Sequence, residues 1–446
     1  MRPGVGMDDQ AAADVVRHAA LRCESGQDGA RPLLELIDDA RVVLIGEATH
    51  GTHEFYQIRA ELTAALIREK RFNVVAVEAD WPDAYRVNRW VRLASVESGP
   101  AAALDGFARF PRWMWRNKVV VDFIQWLHDY NSKRAAIDRV GFYGLDLYSL
   151  HASMKAVLEY LGKVDPDAAA RARRRYACFE EFGTDAQRYG YAATLGLSRS
   201  CEDDVVAQLL ELRKRAAEYA GRDGRVAEDE YFFAEQNARL VRNAELYYRT
   251  MFAGQVESWN LRDTHMMDTL DALTEWTSRR AGYARAVVWA HNSHLGDARA
   301  TQMSDWGELN LGQLARERRG TAAFLLGFTT HTGTATAARE WDGPAERRQV
   351  VPSIAGSYEY LFHQTGIDRF ALPIYEAREA LSVTRLERAI GVVYKPETER
   401  ASHYFRARLA DQFNAVIHVD TTAALTPLER WSCESTDLPE TYPTGV

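Results

Sequence analysis

Cysteine is scarce in this chain. Cys23, Cys178, Cys201 and Cys433 are scattered through 446 residues, with no C-x-x-C pair. That spacing excludes a zinc knuckle or a dense disulfide frame, and predicts buried free thiols in a reducing compartment. No apolar run approaches membrane-spanning length, and Met1 to Asp9 hold no hydrophobic signal core. The expectation is a cytoplasmic protein with no membrane partner. Positive charge is not in excess: 55 Lys and Arg face 63 Asp and Glu, a formal charge of -8, which argues against nucleic acid as a partner. Even the basic run Arg171-Ala172-Arg173-Arg174-Arg175 has acidic neighbours and reads as a solvated helix face. Also missing are a Gly-x-Ser-x-Gly nucleophile elbow, a Walker or dinucleotide glycine signature, and His-Glu-x-x-His or His-x-x-x-His spacings. There is no internal repeat and no low-complexity tract.

What is present is a recurring pattern. Val42-Val43-Leu44-Ile45 reads as a short buried strand stopped by Gly46, and Glu47, His50, His53 and Glu54 follow at once. The first turn of a following helix, Glu54 to Arg71, is a candidate for holding these groups on one face. A second apolar run, 73–78, ends on Glu78 with Asp80 just beyond, and a third, 139–144, leads into Asp146. A fourth, 284–290, releases His291 and His294. Strand, helix and strand at this spacing form right-handed crossovers with parallel strands, so these groups emerge at one sheet edge. The expected fold is α/β, a largely parallel central sheet flanked by helices. Further strands are expected at 321–328, 369–374, 390–394 and 414–419, and helices at 119–132 and 310–318. Between 149 and 280 strand signals vanish and helical patterns take over, including 203–220 and 228–251. The division this predicts is a site-bearing core of 1–148 and 281–446, with a helical insertion subdomain of 149–280. The leader (1–10) and the tail after Pro439 are expected to be loose.

Any one strand-end histidine is more often a packed, hydrogen-bonded residue than a catalyst. The joint placement of Glu47, His50, Glu78, Asp146, His291 and His294 favours chemistry, because buried acids and imidazoles are costly unless paired or used. A histidine beside a carboxylate is fixed in one tautomer and becomes a better base for water. A second histidine and an arginine suit the water or the oxyanion. That is hydrolysis without a covalent intermediate. The same residues admit a metal-dependent hydrolase, since Glu47-x-x-His50 has the spacing of di-iron carboxylate bundles and His291 with His294 suit a mononuclear site. Against it, no second Glu-x-x-His is present. A non-catalytic binding or polysaccharide-pathway accessory protein is the third reading. The aromatic-basic run Phe107 to Arg116, with Arg112 and Trp115, reads equally as core or as a pocket wall for a bulky apolar substrate.

Taken together, several motifs resemble the erythromycin esterase family, which includes succinoglycan-biosynthesis-like members. They are Gly46-Glu47-Ala48-Thr49-His50-Gly51 with Glu54 and Arg59, then Val77-Glu78-Ala79-Asp80, and Val288-Trp289-Ala290-His291-Asn292-Ser293-His294-Leu295-Gly296. Phe110 to Asn117 and Glu399 to Phe405 extend the likeness, which runs from about 40 to 430. The resemblance implies an α/β core, a helical subdomain and a deep cleft between them. It implies metal-independent, cofactor-free hydrolysis of a small-molecule ester or lactone, with macrolide opening and antibiotic resistance in characterised members. It implies His50 as the base that activates water, Glu47 and Glu78 as orienting or relaying acids, and His291 as a group that places the water. Arg59 and His294 fall on supporting positions.

Overall fold

The central strands of the sheet are buried on both faces because helices cover both. The computed structural model describes residues 7–23, 31–183, 185–223, 225–252 and 254–429. The tail after Pro439, most of the leader and Cys433 lie outside these residues. The described strands are β1 (Leu21–Arg22), β2 (Val42–Ile45), β3 (Val74–Asp80), β4 (Gly141–Asp146), β5 (Ala286–Trp289), β6 (Ala323–Ala337), β7 (Glu346–Val350), β8 (Arg369–Pro373), β9 (Arg385–Arg388), β10 (Tyr404–Ala407) and β11 (Ala415–Thr422). The main sheet runs β1-β8-β11-β6-β2-β5-β3-β4, with β7 paired to β6, while β9 and β10 form a separate ribbon. From β11 to β4 every pairing is parallel. The ends of β2 and β3 are not side by side as the spacing predicts. β5 lies between them and pairs with both.

Alternate residues of the central strands point to opposite layers, as the pleat requires. Val42, Leu44, Val74, Ala76, Ala286 and Val288 pack into one cluster, and Val43, Ile45, Val75, Val77, Val287 and Trp289 into the other. Helices α1 (His53–Lys70) and α2 (Lys118–Ser132) cover the second layer. The first is covered by helices between β4 and β5, including α3 (Arg225–Thr250) and α4 (Gln255–Ala281), and by α5 (Leu311–Arg319). Among the described residues no strand falls between β4 and β5. The helix expected over 203–220 is two helices, Glu202–Lys214 and Ala216–Asp223.

Glu47 and His50 lie before α1, not in its first turn. Their loop is clamped by distant backbone. His50 N–H donates to Ile390 O at 3.3 Å, Ile390 N–H to Ala48 O at 2.8 Å, and both Thr336 and Leu425 N–H to Gly51 O at 2.9 and 2.8 Å. The expected strand at 390–394 is therefore only isolated bridges, Ile390 to Thr49 and Val393 to Ala338. A Cβ on Gly51 would overlap the Thr336 backbone, which has no room to yield. Gly51→Ala is expected to cost about 1–3 kcal/mol, the range for overpacking, read as a lower Tm.

Two further expectations are corrected. Cys178 and Cys201 are disulfide-bonded, with Cα atoms 6.0 Å apart, whereas Cys23 is free. Their separation of 23 residues carries no pairing signal in the sequence; the packing of the helices brings them together. Trp115 is a core residue, buried against Phe107 and Phe142, and Trp113 is buried in the same layer. Arg112 is exposed and donates to Ala108 O at 2.6 Å. The tryptophans of the aromatic run therefore pack in the second layer of the core.

Candidate active site

Three adjacent strand ends, those of β2, β5 and β3, converge on one cluster. His50 Nδ1 lies 2.9 Å from Glu47 Oε1, and Arg59 Nη2 donates to Glu47 Oε2 at 2.9 Å. All three are buried. Arg59 comes from α1, with its guanidinium 4.2 Å from the Tyr56 ring centroid and 5.2 Å from that of Trp289. With Glu47 accepting from Nδ1–H, His50 keeps Nε2 as its basic lone pair. The His50 and His291 ring centroids are 4.8 Å apart.

His291 has the opposite tautomer. Its Nδ1 accepts from Ser293 N–H at 3.3 Å and lies 2.9 Å from Ser293 Oγ. The proton therefore sits on Nε2, which is buried without a hydrogen bond of normal geometry; the Ala48 carbonyl beside the ring also favours a proton. Burial, and then the neighbouring His50, push His291 down to about 3, so the ring is neutral at physiological pH.

Glu78 binds this half to a second one. Its Oε2 accepts from His291 N–H at 2.9 Å, and its Oε1 accepts from Arg262 Nη2 at 2.8 Å and lies 3.4 Å from His294 Nε2. Arg262 also forks onto Asp146, at 3.0 and 2.7 Å. His294 Nδ1 is 3.0 Å from both oxygens of Asp263, and its ring stacks on Trp259 at 4.6 Å. Burial raises the Glu78 carboxyl, but His294, Arg262 and His50 outweigh it and hold the group well below the usual range. Burial likewise lowers His294, while Asp263 and Glu78 more than reverse this, to about 9. Burial pulls the Asp263 carboxyl upward, so one proton is shared within that pair. We place it on His294, where Asp263 and Glu78 together outweigh Arg262, whose Nη1 lies 3.1 Å from His294 Nε2.

A pH dependence follows. His294 binds its proton more tightly folded than unfolded, so its contribution is complete below its ordinary value of 6.5 and is lost as pH rises through about 9. Chemical denaturation between pH 6 and 10 should show stability falling over this window, and His294→Asn should flatten that slope.

Sequence reasoning missed Arg262 and Asp263, which stand on α4. A signal was present: Asp263 shares a helical stripe with Met266, Met267 and Leu270, all buried. An acid on such a stripe needs a partner. Asn292 was also missed. Its side chain donates to Phe328 O at 2.7 Å and accepts from Phe328 N–H at 3.3 Å, and its own N–H donates to Glu47 O at 2.8 Å. Of the other predicted residues, Asp80 adjoins this cluster as the register partner of Asp146, and the rest take different partners. Glu54 accepts from Ala423 N–H at 2.8 Å and so ties down the chain after β11. His53 starts α1 and is half-buried. Asp80 pairs with Arg109, and burial raises its carboxyl.

No group of three or more His, Cys, Asp or Glu is arranged to hold a metal ion among the described residues. The nitrogens and oxygens are committed elsewhere: Nδ1 of His50 to Glu47, Nδ1 of His294 to Asp263, its Nε2 between Arg262 and Glu78, and Glu78 to Arg262 and a backbone N–H. Nor is any described helix long and apolar enough to cross a membrane.

A mostly parallel sheet whose strand ends gather paired acids and imidazoles defines an α/β protein of hydrolase-like type. The sequence profile described as Erythromycin esterase matches residues 67–422, and the chain belongs to that family. Erythromycin esterase type II of Escherichia coli is 26% identical over 149 residues, 32% of this chain and 33% of that protein, so the match spans about a third of that relative's length. A solved succinoglycan biosynthesis protein is similar over 94% of this chain and 98% of its own, with 20% identity and a TM-score of 0.74. A mutant of the erythromycin esterase EreC in its open conformation is similar over 90% of this chain and 97% of its own, with 16% identity and a TM-score of 0.66. The structural likenesses show the shared fold, and the family supports a hydrolase-like function.

Proposed function

We propose that the protein is a carboxylic ester hydrolase that adds water to a lactone or other ester, with His50 as general base. The observation that carries this reading is a pair of imidazoles with ring centroids 4.8 Å apart: Glu47 at Nδ1 of His50 leaves Nε2 as the base, and Ser293 N–H at Nδ1 of His291 leaves the proton on its Nε2. In this mechanism His50 Nε2 takes a proton from water as the water oxygen bonds to the carbonyl carbon. The carbonyl oxygen gains charge and accepts from His291 Nε2–H. Collapse breaks the carbon–oxygen ester bond, and the alkoxide leaves with the proton that His50 took. The His291 tautomer suits this donor role better than placing the water. Arg59 positions Glu47. Glu78, neutralised by Arg262 and His294, holds the His291 backbone. In this reading 149–280 is the helical subdomain facing the core of 1–148 and 281–446 across the substrate cleft.

Incubation of the pure protein with a panel of macrolides and simple esters tests it by mass spectrometry. A mass gain of one water on a lactone, or the acid and alcohol of an open-chain ester, is expected for at least one compound. No turnover across the panel would sink the proposal.

A further inference from the structure

Behind Asn292 lies a second pair of acids that this mechanism does not use. Glu387 on β9 and Glu359 on the helix Tyr358–His363 are both fully buried. Glu359 Oε1 accepts from Arg388 N–H at 2.8 Å. That leaves Glu359 Oε2, both oxygens of Glu387 and Gln412 Oε1 buried without a hydrogen-bond donor among the described residues. The adjacent cation is turned away: the Arg388 guanidinium donates to the carbonyls of Val351 at 2.8 Å and His331 at 2.9 Å, and to Glu399 at 3.2 Å. The Gln412 and Asn292 amides lie near Glu387 but do not meet its oxygens in hydrogen-bond geometry, and Asn292 Nδ2 gives one of its two hydrogens to Phe328 O. Tyr358, beside both acids, donates to the carbonyls of Leu381, Val383 and Ala407, and Arg385 Nη2 reaches out to Asp9.

Buried acid oxygens without a donor need a compensating positive group. The smallest candidate is a proton, because a neutral carboxylic acid both donates and accepts. We propose that Glu387 is a positioning residue held as a protonated acid: its one O–H donates to the orphaned Glu359 oxygen, and this neutral plug backs Asn292. Asn292 in turn fixes the His291 backbone against Glu47, since its N–H donates to Glu47 O and its side chain grips Phe328 on β6. The chemistry agrees: burial first, and then Glu359, raise the Glu387 carboxyl to about 8, and burial raises Glu359 as well. The acid form is thus present at neutral pH and lost as pH rises through that value. Ionisation sets a second unpaired charge behind Asn292 and loosens the seat of His291.

The role rests on the proposed ester hydrolysis, but the proton does not, so the two are tested separately. Difference infrared spectroscopy of the full chain, titrated from pH 6 to 10, should show a protonated carboxylic acid band in the wild type that disappears in Glu387→Gln. Absence of the band, its persistence in the variant, or a stoichiometric metal found in the wild type and missing in the variant would overturn the proposal. Glu387→Gln imitates the neutral acid, so near pH 7 its rate should stay close to wild type. The wild-type rate should fall above about pH 8 and the variant's should not. An alkaline limb unchanged in Glu387→Gln would overturn the positioning role even if the band behaves as expected.

Discussion

His50→Ala is expected to cut ester hydrolysis by about 10²–10⁴-fold, the usual contribution of a positioned general base. The loss should fall on kcat, because His50 acts on water and not on substrate affinity. Stability should change little. Removing the imidazole leaves Glu47 still paired with Arg59 at 2.9 Å, so no buried charge is abandoned. Glu47→Gln is a poorer test for the same reason: it leaves the buried Arg59 without its carboxylate and mixes an unfolding cost into the rate. Turnover measured on folded His50→Ala, with Tm taken in parallel, decides the assignment. A rate equal to wild type would end it.

Arg262→Ala should be among the most destabilising single changes in the protein. Arg262 bonds Glu78 and Asp146 at once, and both acids are buried. Breaking a buried ion pair from one side costs about 3–5 kcal/mol, because the remaining charge has no water to return to. The deficit should be largest at neutral pH and shrink as pH falls and Glu78, held low by its cationic partners in the wild type, takes up a proton. Arg262→Lys should fall between, keeping the charge but losing the fork onto Asp146. Thermal melts of the three proteins from pH 4 to 8 test this. An Arg262→Ala variant that melts with wild type at pH 7 would show the triad to be energetically idle.

The strand-end groups were legible because fully buried parallel strands read as unbroken apolar runs, and a charge at the end of such a run stands out. That logic places Glu47, His50, Glu78 and His291 together, and it extends to Asp146 and His294. It says nothing about which strand lies between which, so β5 between β2 and β3 was invisible. Strands β7 and β9 were invisible for a different reason: Glu346-Arg347-Arg348-Gln349-Val350 and Arg385-Leu386-Glu387-Arg388 carry almost no apolar pattern. Arg262 and Asp263 were hidden by helical periodicity, which draws attention to apolar positions and away from the acid among them. Trp115 misled because an aromatic beside arginines has the same composition in a pocket wall as in a core.

The place of β5 has a consequence for how the molecule comes into being. Its neighbours in the sheet, β2 and β3, precede it by some two hundred positions, and all three must be docked before His50 meets His291. The two earlier strands are made before the strand that separates them in the sheet. Pairings of such long sequence separation are slow to form. Catalytic competence during synthesis should therefore arise as a late, single event, and a fragment ending before residue 286 should have both histidine partners of the site beyond its reach.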